Sequence, residues 1–522
     1  MMTDMQRLLP PGKVPWDIVA ELVAGELPPQ VRLGPGVGED AALVEIGGET
    51  WAVASDPVSF TSSEAGRLAV IVNANDVAVR GARPSLFLAV ALIAPGEASP
   101  ELVRELLTQV RATCSEVGAT LIGGHTEVTP GLPHSIVVGT MLGRVEGRAL
   151  TTAGLRQGDF VGMTRWAGLE GTHILLGELG ERLRELHDGA SFELPPEARE
   201  WLLVAPDALR AAACSGVTAL HDVTEGGVGE AVHEMAAASG HRIEARREDI
   251  PLLPVTATIC SDLGIDPLGL IGSGALLIGC DGKGREEVEA TMVAAGTPFR
   301  WIGQAVDSDR PETVVLPRFP QDELLKASAM EGIEAVIFDL DGTLVDSAYD
   351  WPEIRRRLGV TGGSIIDALN GLSGEERAAR WAALEAIEDA ATEGASLHPG
   401  ARDLLEILRE RGLRSALVTN NTQANAASLL ARFTLDFEVV LTRDSGLWKP
   451  SGAPVAEAAR RLGVPPERCL AVGDSHYDIL AAREAGAKIC VVHDGEGQHD
   501  GETDLSFADI PAFLRYLRLV LP

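Results

Sequence analysis

The sequence predicts an α/β protein of more than one domain that ends in a Rossmann-like parallel-sheet domain. Three observations predict it. Short apolar runs of strand length alternate with amphipathic helical runs along most of the chain. A polar stretch, RFPQDELLKASAMEG, interrupts that alternation, and a fresh apolar strand, EAVIF, follows it. The chain's 522 residues also exceed what one ordinary core organises.

In chain order, WAVAS and SLFLAVALIA read as strands and PELVRELLTQVRATCSEVG as an amphipathic helix, all within about Val31 to Arg144. From about Thr151 to Pro317 the alternation continues, closing on two strand-like runs, GALLIGC and TVVLP. The polar helical stretch that follows reads as a linker, and βα alternation resumes at Glu334. The expected domains are 1–148, 149–318, a linker at 319–332, and 333–522 with an inserted cap over about 345–398. There is no solenoid repeat and no low-complexity tract.

Apolar residues make up 45% of the chain and charged ones 23%, the composition of a folded globular protein. A net charge of −32 argues against nucleic acid or anionic membrane as a partner. It suits either a plain acidic surface or carboxylate sites filled by a hard cation. The six cysteines are scattered, with no CxxC pair and no Cys/His cluster, which fits a reducing compartment better than a zinc site or a disulfide framework. The start, MMTDMQRLLPPGKVPWD, has no apolar h-region, so no signal peptide is expected. The longest apolar run, Leu86 to Ala94, is far short of the roughly 20 residues of a membrane span. A cytoplasmic location is expected.

In the C-terminal part, EAVIF ends in Asp339-Leu340-Asp341-Gly342-Thr343. Two carboxylates at a strand end can face the crevice where open α/β sheets place their sites. A calcium loop is excluded: Gly342 is fourth and Asp350 twelfth, where an EF-hand needs Gly sixth and Glu twelfth, and the preceding segment is a strand. Thr419 and Asn420 follow a second apolar strand, Lys449 precedes a helix in GLWKPSGAP, and Asp474 and Asp478 follow a third strand in ERCLAVGDSHYD. Phosphoryl transfer to a carboxylate needs such a set: nucleophile, acid/base, groups to hold phosphoryl oxygens, and ligands for Mg²⁺.

These four motifs, over about Glu334 to Pro522, resemble the haloacid dehalogenase (HAD) superfamily, in particular its phosphoglycolate-phosphatase-like branch. The resemblance implies Asp339 as nucleophile and Asp341 as general acid/base. It implies Thr419, Asn420 and Lys449 at the phosphoryl group, and a metal site drawn from Asp339, Asp341, Asp474 and Asp478. It also implies a mobile cap, here the helical insert WPEIRRRLG…GEERAARWAALEAIEDAATEG, whose Arg and Trp residues are either substrate contacts or a solvated face.

The N-terminal part spreads its carboxylates over several motifs. GPGVGEDAAL carries Glu39 and Asp40, ASDPVSF carries Asp56, and VNANDVAVRGARP carries Asn75 and Asp76. IGGHTEVTPG supplies Gly123, Gly124, Thr126 and Glu127, and ALHDVTEGGVGEAVHEMAAA places Asp222 before a glycine pair that opens a helix. Gly-rich turns at helix starts leave N–H groups for phosphate oxygens, and separated carboxylates suit Mg²⁺ on a nucleotide. His233-Glu234 begins like HExxH, but Ala237 stands where the second zinc ligand would be, and there is no GxxxxGK[ST] loop.

In order and spacing these motifs resemble the aminoimidazole ribonucleotide (AIR) synthetase-like superfamily over about Pro10 to Pro317, and ASDPVSF…GRLAVIVNANDVAVRGARP is most similar to its hydrogenase-maturation branch. The resemblance implies a two-domain α/β module that uses ATP with Mg²⁺ and dimerises. Asp40, Asp56, Asp76 and Asp222 would be its metal ligands, with Asn75, Thr126, Glu127 and a Gly123-Gly124 turn beside the nucleotide. That branch acts through a C-terminal cysteine, and the matching tail here, LPRFPQDELLK, has none. Thiamine-monophosphate kinase has Asp where this chain has His125, and AIR synthetase has Lys where it has Glu39.

The expected protein is therefore bifunctional: an ATP-dependent AIR-synthetase-like module followed by a Mg²⁺-dependent HAD phosphatase acting on a small phosphate ester. Two alternatives for the first module stay open: a non-catalytic ATP-binding regulatory or dimerisation domain, or a kinase like thiamine-monophosphate kinase.

Overall fold

Strand-forming runs in the first third of the chain build a seven-stranded sheet in the computed structural model, which describes residues 9, 12–23, 25–58, 64–307, 309, 315–493 and 502–522. Most of the N-terminal stretch read above for a leader lies outside the described residues. So do Ser59 and Phe60 of ASDPVSF, and Thr313 and Val314 of TVVLP. The chain forms two units: Met1–Gly180 with Ser191–Cys260 and Ile265–Leu325, and Glu181–Ala190 with Ser261–Gly264 and Lys326–Pro522.

The first sheet of the first unit comprises β1 (Val31–Leu33), β2 (Ala42–Ile46), β3 (Glu49–Ala54), β4 (Pro57–Val58), β5 (Ala82–Ile93), β6 (Thr120–Val128) and β7 (Ile136–Val145). Their order is β1-β2-β3-β7-β5-β6, with β4 on β7. Only β5 and β6 pair in parallel. The helix Ala65–Ala78 is buried almost along its whole length, polar residues included. Asn73 is satisfied there: its Nδ2 donates to Ala69 O and its Oδ1 accepts from Asp56 N at 3.0 Å. The helix Pro100–Val117 starts on the Ser99 side chain, which accepts from Leu102 N, and ends at left-handed Gly118.

The second sheet, β8 (Phe160–Thr164), β9 (Val217–Asp222), β10 (Arg242–Ala245), β11 (Leu276–Cys280) and β12 (Phe299–Val306), is antiparallel throughout, in the order β10-β12-β8-β11-β9. GALLIGC forms β11, whose residues are all buried. The closing strand is β12 rather than TVVLP, whose residues 315–317 are not in a strand.

The expected linker is also different from its reading. Only a short 3₁₀ turn, Glu323–Ser328, forms there. Phe319 lies so close to Gly226, Gly229 and Gly269 that a Cβ on any of them would approach its atoms within 2.8 Å. Asp322 accepts from the backbone N–H groups of Gly226 (2.7 Å), Leu324 (2.8 Å) and Ile271 (3.2 Å). Asp322 and Glu323 are buried and cap backbone donors, and the first unit runs on to Leu325.

The second unit is a parallel sheet of β13 (Ala335–Phe338), β16 (Arg414–Val418), β17 (Val439–Leu441), β18 (Cys469–Gly473), β19 (Lys488–Val492) and β20 (Leu505–Phe507), ordered β17-β16-β13-β18-β19-β20. Two short strands, β14 (Val345–Asp346) and β15 (Ser396–Leu397), pair with each other and bracket helices Trp351–Leu358, Ile365–Asn370 and Gly374–Gly394. These inserted helices have their own core around Ile354, Leu358, Ile365, Leu369 and Leu384. All six cysteines are buried and unpaired. No described helix is long and apolar enough to cross a membrane.

Candidate functional site

In the second unit β13 lies between β16 and β18, so residues following all three strands meet at the carboxyl edge of the sheet. Asp339 N donates to Val472 O at 2.9 Å and Thr419 N to Leu441 O at 3.0 Å, which fixes both residues just beyond their strands. Lys449 Nζ lies 2.7 Å from Asp339 Oδ1 and 2.5 Å from Asp478 Oδ1. Asp339, Asp474 and Asp478 each offer an oxygen, all within 4.8 Å of one another. Asp474 Oδ1 accepts from Thr343 Oγ1 at 2.9 Å, and Asp478 Oδ2 accepts from Ser475 Oγ at 2.6 Å and Ser475 N at 3.1 Å. Gly342, at φ 88°, passes so close that a Cβ would sit 2.3 Å from Asp474 Oδ2, so a side chain is excluded there.

Asp341 stands outside that carboxylate group. Its oxygens accept from Ser347 Oγ at 2.5 Å and Asn421 Nδ2 at 3.0 Å. The Asn420 side chain grips the backbone of Lys449 at both its N–H (2.8 Å) and its C=O (2.9 Å), so that side chain is a brace. Burial, reinforced by Asp478 and Asp474 and opposed by Lys449, pushes Asp339 well above the ordinary carboxylate range. Burial likewise raises Asp341, and with Asp478 it lifts Asp474 to about 6. Crowded, desolvated carboxylates with one ammonium among them match a hard divalent cation in donor type.

These residues floor a cavity of about 430 Å³ whose opposite wall is the helical insert, through Tyr349, Trp351, Arg355, Ile365 and Leu384. The insert is pinned by a bidentate pair: Arg443 Nη1 and Nη2 meet Glu388 Oε1 and Oε2 at 2.5 and 2.6 Å. Arg443 also donates to Asn420 O at 3.2 Å and lies 5.1 Å over the ring of Trp381.

In the first unit Asp40, Asp56, Asp76 and Asp222 converge. Asp76 is driven well above its usual range by burial, with Asp56, Asp222 and Asp40 adding to it. Burial and Asp40 push Asp222 up to about 7, against the pull of His221 and Arg80. Asp76 Oδ2 and both oxygens of Asp222 are buried without a hydrogen-bond partner among the described residues. Orphaned carboxylate oxygens of this kind fit a cation that binds through oxygen. Three cationic side chains surround them. Arg80 Nη2 reaches Asp40 at 2.8 Å and Glu39 at 3.1 Å. His221 bridges Asp40 (3.0 Å) and Glu234 (3.1 Å), and Lys13 reaches Glu234 at 3.0 Å. Burial disfavours charge on His221, but the two carboxylates more than offset it and hold the imidazolium to about 10. Although His221 lies within ligand distance of Asp40 and Asp222, both ring nitrogens face acceptors. With both nitrogens facing carboxylates, the ring braces Asp40 and Glu234.

The other expected nucleotide residues make different contacts. Asn75 is buried, accepting from Val204 N (2.9 Å) and Ala205 N (3.1 Å) and donating to Leu202 O (3.0 Å), so it ties down that loop. Gly123, Gly124, Thr126 and Glu127 form no turn: they lie in β6, an exposed strand at the sheet edge. Gly124 is required because a Cβ would fall 1.8 Å from Ala89 O of the neighbouring strand. Gly226 N–H, expected to be free at the helix start, is taken by Asp322. Sequence reasoning missed Arg80, His221, Asn421 and the Glu388–Arg443 pair as site residues, dropped Glu234 with the HExxH reading, and offered Arg355 only as one of the insert's arginines. His221, adjacent to Asp222, and Asn421, adjacent to Asn420, carried a local signal.

The chain matches the haloacid dehalogenase-like hydrolases over residues 333–486. It matches the N-terminal domain of AIR synthase related proteins over 38–145 and their C-terminal domain over 162–316. It is 34% identical over 218 residues to "Phosphoglycolate phosphatase, plasmid" of Cupriavidus necator, covering 35% of this chain and 94% of that one. It is 29% identical over 263 residues to the carbamoyl dehydratase HypE of Escherichia coli, covering 48% and 73%. With a putative hydrogenase expression/formation protein of Methanocaldococcus jannaschii it shares 27% over 277 residues, covering 51% and 79%.

Proposed function

Because the chain belongs to the AIR synthase related proteins in its N-terminal part and to the haloacid dehalogenase-like hydrolases in its C-terminal part, we propose that it is a bifunctional enzyme. The second unit is a Mg²⁺-dependent phosphatase working through a phosphoaspartate, and the first is a module that consumes Mg²⁺-ATP. The single observation carrying the phosphatase reading is the Asp339–Lys449–Asp478 chain beside Asp474, with Asp341 held separately by Ser347 and Asn421.

Asp339 attacks the phosphorus of the ester and the bond to the leaving oxygen breaks. Asp341, whose burial favours its protonated form, gives that oxygen a proton. Lys449 and Thr419 hold the phosphoryl oxygens as charge shifts onto them. Asp341, now a carboxylate, takes a proton from water, which attacks the phosphorus, freeing phosphate and restoring Asp339. Asp339, Asp474 and Asp478 would hold Mg²⁺, which supplies charge stabilisation at the transferring group. In the first unit Asp40, Asp56, Asp76 and Asp222 would hold Mg²⁺ against the nucleotide's phosphates. The relatives' carbamoyl chemistry has no support in the thiols of this chain, which are all buried. Exposed β6, with Ile122 and Val128 on its surface, supports a second copy of the chain as a partner.

Asp339→Asn separates the two activities. The variant is expected to release no phosphate from small esters such as phosphoglycolate while still converting ATP to ADP or AMP. That remaining turnover should vanish in Asp339→Asn/Asp222→Ala. Phosphate release by Asp339→Asn at the wild-type rate would sink the phosphoaspartate. ATP binding without turnover would leave the first unit as a regulator.

A further inference from the structure

The phosphatase cavity holds more than a phosphoryl group needs. At about 430 Å³ it falls in the roughly 300–1,000 Å³ range of sites that enclose whole organic ligands. Its polar floor is complete in itself, since Lys449 is committed to Asp339 and Asp478. The wall above it is apolar and aromatic. Tyr349 and Trp351 lie with ring centroids 4.8 Å apart, and Trp351 is 50% exposed at the start of the helix Trp351–Leu358.

Two charged side chains, Arg355 and Glu388, break that apolar wall. Arg355, one turn further along the same helix, donates from Nη2 to Tyr477 Oη at 3.1 Å. Its Nη1 is shielded from solvent and finds no hydrogen-bond partner among the described residues. A shielded guanidinium N–H without an acceptor costs free energy unless something in the cavity accepts from it. The acidic side chain nearest in kind on that wall, Glu388, is already neutralised by Arg443. Arg355 therefore brings to the cavity a guanidinium whose Nη1 has no acceptor among the described residues, a planar fork suited to a carboxylate or a second phosphate.

We infer that the substrate is a phosphate monoester with a flat apolar body and an anionic group remote from the phosphate, and that Arg355 selects it by binding that second anion. This rests on the phosphatase reading of the site and adds to it a substrate class and a specificity residue. Trp351 and Tyr349 cover the body, while the floor handles the phosphoryl group.

The test compares 4-carboxyphenyl phosphate with phenyl phosphate, which differ only in the remote anion. In the wild-type protein kcat/KM should favour the carboxylate by roughly 10- to 100-fold, the range of a charged hydrogen bond. In Arg355→Gln that ratio should fall to near one. Each ratio is taken within one variant, so a general loss of activity cancels. Calorimetric Kd values for both esters on Asp339→Asn, with Mg²⁺ and with or without Arg355→Gln, give the same comparison without turnover. Equal wild-type ratios and equal Kd values overturn the proposal. So does a preference that survives Arg355→Gln while both esters weaken together, which would place Arg355 at the phosphoryl group. A carboxylate preference in binding together with undiminished hydrolysis by Asp339→Asn would overturn the phosphoaspartate instead.

Discussion

Removing Glu388 tests how firmly the inserted helices are held over the catalytic floor. In Glu388→Ala the guanidinium of Arg443, itself only 7% exposed, loses two charge-assisted hydrogen bonds and keeps one to Asn420 O. Stripping one partner from a buried ion pair costs about 3–5 kcal/mol, because the remaining charge stays desolvated. The helix Gly374–Gly394 has few other anchors in its interior: Leu384, Glu388 and Thr392 are its buried residues. Most of the loss should therefore appear as local opening of that helix. At about 1.4 kcal/mol per factor of ten, its amides should exchange roughly 10²- to 10³-fold faster. Peptide-resolved hydrogen exchange reads this directly, with β13 and β18 as internal references. A Glu388→Met/Arg443→Met pair should recover most of the protection, since an apolar pair carries no stranded charge. Exchange in Glu388→Ala within threefold of wild type would refute the reasoning, because the pair would then contribute nothing to holding the insert.

Three further outcomes follow from the sites. Gly342→Ala places a methyl 2.3 Å from Asp474 Oδ2 at a backbone φ of 88°; phosphatase kcat/KM should drop about 100-fold, the scale of an ångström's misplacement, and a titration of Mg²⁺ should show a raised requirement. Asp222→Asn removes one of two crowded carboxylates with partnerless oxygens. The metal-free variant should melt no lower than wild type, yet lose the thermal shift that Mg²⁺ and ATP give together. Chelation of divalent ions should stop phosphate release by the second unit, and Mg²⁺ alone should restore it; full activity in excess chelator would contradict the metal reading.

The second unit was the more legible of the two. Asp339, Thr419 and Asp474 each directly follow an apolar strand, and a parallel sheet brings such positions together whatever lies between. The pin was not legible, because Glu388 and Arg443 are 55 residues apart and each looks like a surface charge on its own stretch. In the first unit the four aspartates could be picked out, but not Arg80 or Glu234, whose placement depends on how two sheets meet. Alternating strands and helices also said nothing of strand direction, and both sheets there are mainly antiparallel. Gly123 and Gly124 read as a turn because glycine usually punctuates structure. Here Gly124 serves the close approach of two paired strands. The polar helical stretch RFPQDELLKASAMEG read as a linker because nothing local showed that Asp322 would serve three backbone donors.

The six buried thiols make the chain its own unfolding reporter. Cys114, Cys214, Cys260 and Cys280 belong to the first unit and Cys469 and Cys490 to the second. Burial raises Cys114 and Cys469 to about 11 and Cys280 to about 12, so folded protein presents almost no thiolate to an alkylating reagent. Labelling must wait for opening, and the peptide that carries the label names the region that opened. A time course of alkylation, read by mass spectrometry, would thus clock each unit separately in the intact chain, with no engineered probe.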